Sequence, residues 1–328
     1  MLRYLIHLTI ITVMLSLFSC HTLQQIPLQN KPIQNLNFAN DTLTMNYWGV
    51  GCFHIRYKNN EVIADPFISR PSFGQVAFGK IKQDTMKIND ALGQNKHVAF
   101  VIAGHGHYDH AMDIPHLDKI LNNDAIIVGS QSLQNQLSPY HIKHAYVCTS
   151  DTTKKIIVNS EGSVRIMSFP SNHASHFMGL HLYHGKMNSP LQKEPLKSSK
   201  WKDGPIMSFI IDFMEKDNIE KRIFIQTSSA SSIIKKELQM ELTGRPPDLY
   251  ILNYYTLRHD MKHKNGLISL TGDSKIIVCH WENFFRSWDK KIKPLGKWDT
   301  IKTLKKLQGI IPSERMIIPI QGSRIEIP

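Results

Sequence analysis

The sequence predicts an α/β protein in which buried strands alternate with helices, and three observations predict it. The apolar stretch 97–103 has the length and composition of a strand that is covered on both faces. A helix start follows at Asp113, which we expect to cap the helix, with Pro115 in the first turn. Similar strand patterns recur along the chain, at 52–57, 61–64, 125–128, 155–158, 163–169, 207–212, 222–226, 248–253 and 275–279. Short helices are expected at 130–137 and at about 230–240.

Length and composition are those of an ordinary globular protein. The chain has 328 residues, 41% hydrophobic and 20% charged, so it can bury one large core or two smaller ones. The net charge of +12 favours an anionic substrate or membrane surface, although the scattered lysines fit a generally basic surface equally well. We expect no nucleic-acid partner, because no such motif is present. Cys52, Cys148 and Cys279 are far apart and odd in number, which argues against a disulfide framework.

The first 20 residues have the features of a secretory signal. A positively charged start precedes an apolar stretch, 4–18, that is short for a membrane-spanning helix. The ending Leu17-Phe18-Ser19-Cys20 resembles a bacterial lipobox, which implies lipidation of Cys20 and a membrane-anchored lipoprotein of the cell envelope, on the periplasmic side. An uncleaved amino-terminal anchor is the alternative. Residues 21–43 are expected to be a tether, and residues 44–328 to form one domain.

The stretch 104–110, Gly-His-Gly-His-Tyr-Asp-His, carries the chemistry that the sequence predicts. It lies between the predicted strand and the helix start, where open α/β sheets place their sites. His105 and His107 alternate with other residues, so their side chains can converge on one point, while Asp109 and His110 can face a second point nearby. Neutral imidazole and carboxylate suit zinc and similar ions. The alternative is a solvated His-rich turn without a function.

The stretch 105–110 matches the His-x-His-x-Asp-His signature, and over residues 44–328 the chain resembles the metallo-β-lactamase superfamily. The resemblance implies a four-layer αββα sandwich with the site along one sheet edge. It also implies that Asp65 braces the metal loop without binding metal. His173, after Pro170 at a strand end, and His280, at the end of a late strand, match the remaining ligands. His176 is the alternative to His173.

The resemblance divides the ligands into two metal sites, one of His105, His107 and His173 and one of Asp109, His110 and His280. Two Zn²⁺ ions are expected, with Asp109 and His110 also serving as catalytic residues. A zinc-bound hydroxide would hydrolyse an ester, lactone or phosphodiester bond of a polar, anionic or lipid-like small molecule. The branch with ascorbate-6-phosphate lactonase and N-acyl-phosphatidylethanolamine phospholipase D is the most similar. A β-lactamase and a degenerate metal-stabilised binding lipoprotein are the alternatives.

One position departs from the family pattern. Most members carry Gly-Asp after the strand that matches 222–226, and that Asp bridges the two metals, whereas this chain has Thr227 and Ser228. The second metal is therefore expected to bind more weakly than the first. The basic segment 181–205 is too long for an ordinary connection and is expected to be a lid or binding loop, with a disordered surface insertion as the alternative.

Overall fold

The computed structural model of the chain describes residues 41–92, 97–122, 124–173, 182–228, 235–262, 266–287 and 290–327. Fourteen strands lie in these ranges. They are β1 (Leu43–Gly49), β2 (Cys52–Tyr57), β3 (Asn60–Ala64), β4 (Val98–Ile102), β5 (Ile126–Gly129), β6 (Ala145–Cys148), β7 (Lys155–Val158), β8 (Val164–Ser171), β9 (Ile206–Glu215), β10 (Asn218–Gln226), β11 (Leu249–Asn253), β12 (Lys275–Cys279), β13 (Met316–Ile317) and β14 (Ser323–Ile327).

The described residues also contain eight α-helices and three short 3₁₀ helices. The α-helices are α1 (Phe73–Ala77), α2 (Thr85–Leu92), α3 (Tyr108–Ala111), α4 (Ile114–Ile120), α5 (Gln131–Leu137), α6 (Lys236–Gly244), α7 (Tyr254–Asp260) and α8 (Lys297–Gln308). The 3₁₀ helices are Ser138–Tyr140, Ser198–Lys200 and Leu267–Leu270.

The strands form two sheets of seven. The first has the order β14-β1-β2-β3-β4-β5-β6, and the second has the order β13-β12-β11-β10-β9-β8-β7. In each sheet the hairpin-connected strands are antiparallel and the strands joined through helices are parallel, as β3 to β6 and β10 to β13 are. Parallel strands need such crossover connections, because a tight turn between two neighbouring strands makes them antiparallel.

The two sheets pack face to face, and the strand sequences show why. Along β10, Ile223 and Ile225 enter the core between the sheets, whereas Phe224 points into the layer with α6 and α8. Along β4, Phe100 faces the central core and Val101 faces the helices of the first sheet. Alternate strand residues point to opposite faces, so a strand that is apolar throughout must be covered on both sides. The predicted four-layer αββα sandwich is confirmed.

Two local predictions differ from the structure. Asp113 precedes α4, but its side chain makes no capping bond and instead accepts hydrogen bonds from the Ile68 and Ser69 backbone amides and the Ser69 hydroxyl. The prediction that it caps the helix is wrong, because a buried carboxylate gains more from three donors than from one. The helix expected at 230–240 begins at Lys236 and runs to Gly244, and residues 229–234 lie outside the described ranges.

The amino-terminal predictions concern residues outside the described ranges. The signal, Cys20 and nearly all of the tether fall within residues 1–40, so they stay predictions. Among the residues that the structure describes, no helix has both the length and the apolar character needed to cross a bilayer.

Candidate metal centre

The candidate ligands lie on loops that leave both sheets at one edge of the sandwich. The stretch 105–110 follows β4, and Asp65 follows the neighbouring β3 of the first sheet. His173 follows β8, and His280 follows β12 of the second sheet. Because parallel strands end at the same edge of a sheet, side chains from distant parts of the sequence meet there.

The first triad consists of His105, His107 and His173, and each offers one ring nitrogen within 4.8 Å of the others. His105 Nε2 lies 2.9 Å from His107 Nδ1. Two ligands of one tetrahedral zinc ion lie roughly 3.3 Å apart, because each zinc–nitrogen bond is about 2.0–2.1 Å. His105 Nδ1 lies 2.7 Å from the Ser228 hydroxyl, which leaves Nε2 for a metal ion.

The electrostatic surroundings of the first triad favour neutral imidazole. Burial lowers the pKa of His105 well below its usual value, and the neighbouring imidazoles of His110 and His107 lower it further. A neutral ring with a free lone pair is the form of histidine that binds a metal ion. His105 therefore presents an uncharged nitrogen donor to the first triad.

The second triad consists of Asp109, His110 and His280, and their ligand atoms also lie within 4.8 Å of one another. Asp109 Oδ2 is 3.7 Å from His110 Nε2 and 3.6 Å from His280 Nε2, again close to the spacing around one ion. His110 Nδ1 is 2.8 Å from Asp65 Oδ2, so Nε2 faces the triad.

Charge distinguishes the second triad from the first. Burial opposes protonation of His110, but the carboxylates of Asp65 and Asp109 outweigh it and raise the His110 pKa. Burial by itself would raise the pKa of Asp109, but His110 and a hydrogen bond from His280 hold that pKa well below its usual value. Asp109 is therefore ionised at neutral pH.

The two triads are adjacent, since the ring centroids of His105 and His110 are 4.1 Å apart. The structure thus brings together all six ligands that the sequence predicted, and the donor set of imidazole and carboxylate suits zinc. His176 lies outside the described residues.

Comparisons of the sequence give short matches. No family model matches the chain. A UPF0173 metal-dependent hydrolase of Staphylococcus epidermidis is 31% identical over 99 residues, and one of Staphylococcus aureus is 25% identical over 99 residues. Each match covers 30% of this chain and 36% of the relative, so the chain spans little more than a third of the length of these curated relatives.

Comparisons of the structure cover most of the chain. An isothiocyanate hydrolase from Delia radicum gut bacteria matches with a TM-score of 0.52 at 14% identity, over 86% of this chain and 98% of its own. A possible metal-dependent hydrolase from Veillonella parvula and a metallo hydrolase from Ignicoccus hospitalis match with TM-scores of 0.53 and 0.52, both at 13% identity over 88% of this chain and 99% of theirs. The chain has the metallo-β-lactamase fold.

Asp65 connects the strands of this metallo-β-lactamase fold to the ligands. Its Oδ1 accepts the Gly104 amide hydrogen at 2.7 Å, and its Oδ2 accepts hydrogen bonds from His110 and from the Thr227 hydroxyl. The Asp65 backbone has a φ of 42°, a strained conformation that a non-glycine residue adopts only where its surroundings require it. Asp65 therefore orients His110 and the start of the ligand loop at once.

The hydroxyls of Thr227 and Ser228, which stand where the sequence lacks the expected bridging Asp, support the ligands. The Thr227 hydroxyl donates to Asp65, and the Ser228 hydroxyl pairs with His105 Nδ1. A Cβ atom on Gly104 would lie only 3.0 Å from the Ser228 oxygen and 3.1 Å from the Thr227 oxygen, so glycine lets the loops approach. Ser228 therefore lies next to the first triad. Thr227 instead contacts Asp65, which is the hydrogen-bond partner of His110 in the second triad.

A buried charge network, which the sequence reasoning missed, holds the loop that carries His280. Glu282 accepts hydrogen bonds from the Tyr47 hydroxyl at 2.7 Å and the Val50 amide at 2.5 Å, and pairs with Arg70 at 2.8 Å. The side chains of Arg70 and Glu282 are fully buried. The His280 amide in turn donates to the Val50 carbonyl at 3.0 Å, so the network fixes the backbone of His280.

The only sequence signal for this network was a glutamate two residues beyond a predicted ligand, inside the stretch 276–285, in which most other residues are apolar or aromatic. Val50, Arg70 and His280 all have positive φ values, of 59°, 43° and 60°. Such strain persists when the surrounding contacts determine the backbone, and here it is concentrated beside the second triad.

The described part of the basic segment, 182–205, packs beside the first triad. The Gly106 amide donates to the Asp203 carbonyl at 2.8 Å, and Gln136 binds both the amide and the carbonyl of Lys202. A Cβ atom on Gly106 would collide with the Lys202 carbonyl, which explains the second glycine of the motif. The Tyr183 ring lies 6.3 Å from the His107 ring. These contacts place the segment at the site, and its action as a lid stays a prediction.

Proposed function

We propose that the chain is a metal-dependent hydrolase that uses two divalent cations, most simply Zn²⁺, to cleave an ester, lactone or phosphodiester bond. The observation that carries the proposal is the pair of adjacent triads, each with three ligand atoms within 4.8 Å. Three protein ligands leave a coordination position open, which is the pattern of catalytic rather than structural zinc. The names of the curated relatives and of the solved structures with the same fold point to the same class.

The residues at the metal centre have different roles. When bound, the cations would act as Lewis acids that activate water and polarise the oxygen of the scissile group. With a cation bound at Nε2 of each ring, His105 would donate its Nδ1 hydrogen to the Ser228 hydroxyl and His110 would donate its Nδ1 hydrogen to Asp65. Asp109, which is ionised, can also accept a hydrogen bond from the attacking water.

A polar or anionic substrate fits the positive charge of the chain and of the segment that packs beside the first triad. The segment beside the first triad carries Lys186, Lys193, Lys197, Lys200 and Lys202, and the whole chain has a net charge of +12. Such a field raises the local concentration of anions and accelerates their encounter with the site.

The direct test is metal content and turnover of the purified full-length chain. We expect close to two zinc ions per chain and hydrolysis of at least one probe from a panel of a phosphodiester, a lactone, a carboxylic ester and a β-lactam. Hydrolysis of the β-lactam alone would support the β-lactamase alternative. Bound metal without turnover of any probe would support a binding protein, and absence of metal even after added zinc would overturn the proposal.

We also propose that the chain is an exported lipoprotein anchored through Cys20, on the basis of Leu17-Phe18-Ser19-Cys20. Diacylation together with an amino-terminal acyl chain gives stable membrane residence, which a single chain does not. Cys20→Ala should abolish fatty-acid labelling in cells. Labelling that persists in this variant would contradict the proposal, and Cys148→Ala, at a partly exposed thiol, serves as the control.

A further inference from the structure

A row of four phenylalanine side chains leads away from the second triad over the surface, and we call Phe284, Phe285, Phe73 and Phe78 the aromatic row. The Phe284 ring packs edge-on against His280, with centroids 5.5 Å apart. Phe284 contacts Phe285 at 4.5 Å, Phe285 contacts Phe73 at 5.3 Å, and Phe73 contacts Phe78 at 6.5 Å. The row is therefore continuous from a candidate metal ligand to the surface.

Exposure rises along the aromatic row. Phe284 and Phe285 are half-buried, Phe73 is 37% exposed and Phe78 is 73% exposed. Exposed apolar side chains that stand singly need no explanation, but a contiguous patch joined to a candidate site marks a place where an apolar group binds. The two inner rings pack on the helix-facing core of the first sheet, so they form a rigid floor.

The outer part of the aromatic row is held in place from both sides. Ser72 caps α1 and exchanges hydrogen bonds with Gln75, which fixes Phe73 at the first position of the helix. The Ser198 hydroxyl donates to the Val76 carbonyl at 2.8 Å and also contacts the Tyr183 hydroxyl at 3.0 Å. The segment beside the first triad thus supports the same helix that carries Phe73.

We propose that the aromatic row binds the apolar chain of an amphiphilic substrate whose scissile polar group lies at the metal centre. The inference rests on the proposed hydrolase function and narrows its substrate class to esters, lactones or phosphodiesters with an alkyl, acyl or aryl part. The contact between Phe284 and His280 favours a substrate, rather than a membrane surface, as the group that binds the aromatic row. A membrane-docking surface does not require half-buried rings beside the metal ligands. The basic segment 182–205 packs beside the first triad through the Gly106 amide and the Tyr183 ring, and its positive charge suits the polar part of such a substrate.

The test uses the zinc-loaded full-length chain and two phosphonic acids as probes. Methylphosphonate and octylphosphonate share the anionic group that a metal centre binds and differ only in the chain. We expect octylphosphonate to bind about 100-fold more tightly in calorimetry, because each methylene that leaves water contributes severalfold to affinity. The readout is the dissociation constant of methylphosphonate divided by that of octylphosphonate.

Variants of the aromatic row locate the chain-binding surface. Phe73→Ala and Phe285→Ala should each lower the ratio of the two dissociation constants about fivefold or more. Met240→Ala is the matched control, because Met240 is a large exposed apolar side chain, 63% exposed, on α6 of the other sheet. Thermal unfolding of every variant checks that the fold persists, and Phe73, being partly exposed, is the variant least prone to unfold.

Three outcomes would overturn the inference. The first is a wild-type chain that binds both phosphonates equally or binds neither while it retains zinc, and the second is a ratio that Phe73→Ala and Phe285→Ala leave unchanged. The third uses the Cys20→Ala chain, which lacks the expected lipid anchor, and its binding to anionic phosphatidylglycerol vesicles. If adding Phe78→Ala abolishes this binding, and the ratio of the phosphonate dissociation constants does not depend on the aromatic row, the aromatic row is a membrane-docking surface. The proposed hydrolase function stands or falls separately, on zinc content and turnover.

Discussion

The two triads of the centre have similar spacing but different support. The first consists of three imidazoles, and the hydrogen-bond partner of His105 is the neutral hydroxyl of Ser228. The second contains the carboxylate of Asp109, and the partner of His110 is the carboxylate of Asp65. The backbone of its third member, His280, donates a hydrogen bond to Val50, which the buried pair of Arg70 and Glu282 holds in place through the Val50 amide.

This difference teaches that similar ligand spacing does not imply similar metal binding. A carboxylate partner raises the basicity of an imidazole ligand and fixes its orientation, whereas a hydroxyl supplies only orientation. The first triad contains no carboxylate, and burial lowers the pKa of its His105, but the second offers negative charge and strained, well-fixed backbone. The two sites should therefore respond differently to changes in their supporting residues, in pH and in added charge.

The largest effect is expected from removal of a ligand. His107→Ala should leave one zinc ion per chain and lower turnover about 1,000-fold or more, because a Lewis acid supplies several kcal/mol of transition-state stabilisation. Metal analysis and kcat/KM measure the two quantities. His116→Ala, at a surface imidazole that contacts Asn89, should change neither. A His107→Ala chain with two zinc ions and normal turnover would contradict the assignment of the first triad.

Removal of the buried charge behind His280 is expected to affect both folding and the second triad. Glu282→Gln leaves Arg70 buried without its partner, so the free energy of unfolding should fall by about 3 kcal/mol. Zinc should also bind the second triad more weakly. Asp212→Asn, which breaks the buried pair of Asp212 with Arg222, should destabilise the fold while both zinc affinities stay unchanged. Equal effects of the two variants on zinc binding would show that Glu282 acts only through overall stability.

A paired comparison tests the partners of the two triads. Asp65→Asn should weaken zinc binding at the second triad about 10-fold to 100-fold, because the carboxylate both orients His110 and increases its basicity. Ser228→Ala should weaken the first triad less, by under about tenfold, because it removes a neutral partner. Chelator competition measures the two affinities. A larger loss in Ser228→Ala than in Asp65→Asn would reverse the comparison.

Addition of charge tests the missing bridge. The sequence alone left positions 227 and 228 equivalent, but Thr227 contacts the carboxylate of Asp65, where a second carboxylate would be repelled. Ser228→Asp should therefore tighten the weaker of two zinc-binding steps about tenfold, whereas Thr227→Asp should not. A titration that Ser228→Asp leaves unchanged would mean that this loop does not occupy the bridging position.

The smallest effect is a difference in pH dependence. Carboxylates raise the pKa of His110, so protons compete with zinc there at a higher pH, while the lowered pKa of His105 reduces that competition at one ligand of the first triad. Between about pH 7.5 and about pH 6, zinc affinity at the second triad should fall severalfold more than at the first. A steeper fall at the first triad would contradict the charge difference.

Local patterns were enough to predict much of the sandwich and the ligand types. Strands such as β4 and β12 are short apolar runs, and their residues alternate between two cores, as two covered sheets require. Strand β6 at the edge of the first sheet, strand β14 and helix α8 were not predicted, because partial exposure or mixed polarity hides their periodicity. The short helix α3 within the ligand motif was likewise expected only as a turn.

The sequence by itself determined the donors of the centre, because His105, His107, Asp109 and His110 lie within six residues and a strand end holds them together. Only the tertiary structure decided which residues support those donors. Glu282 reaches Tyr47 across 235 positions of the chain, and the aromatic row joins rings from segments more than 200 residues apart. The physical reason is that hydrogen bonds and ring contacts depend on distance in space, and no periodicity along a strand records which distant loop the sheet edge will bring beside it.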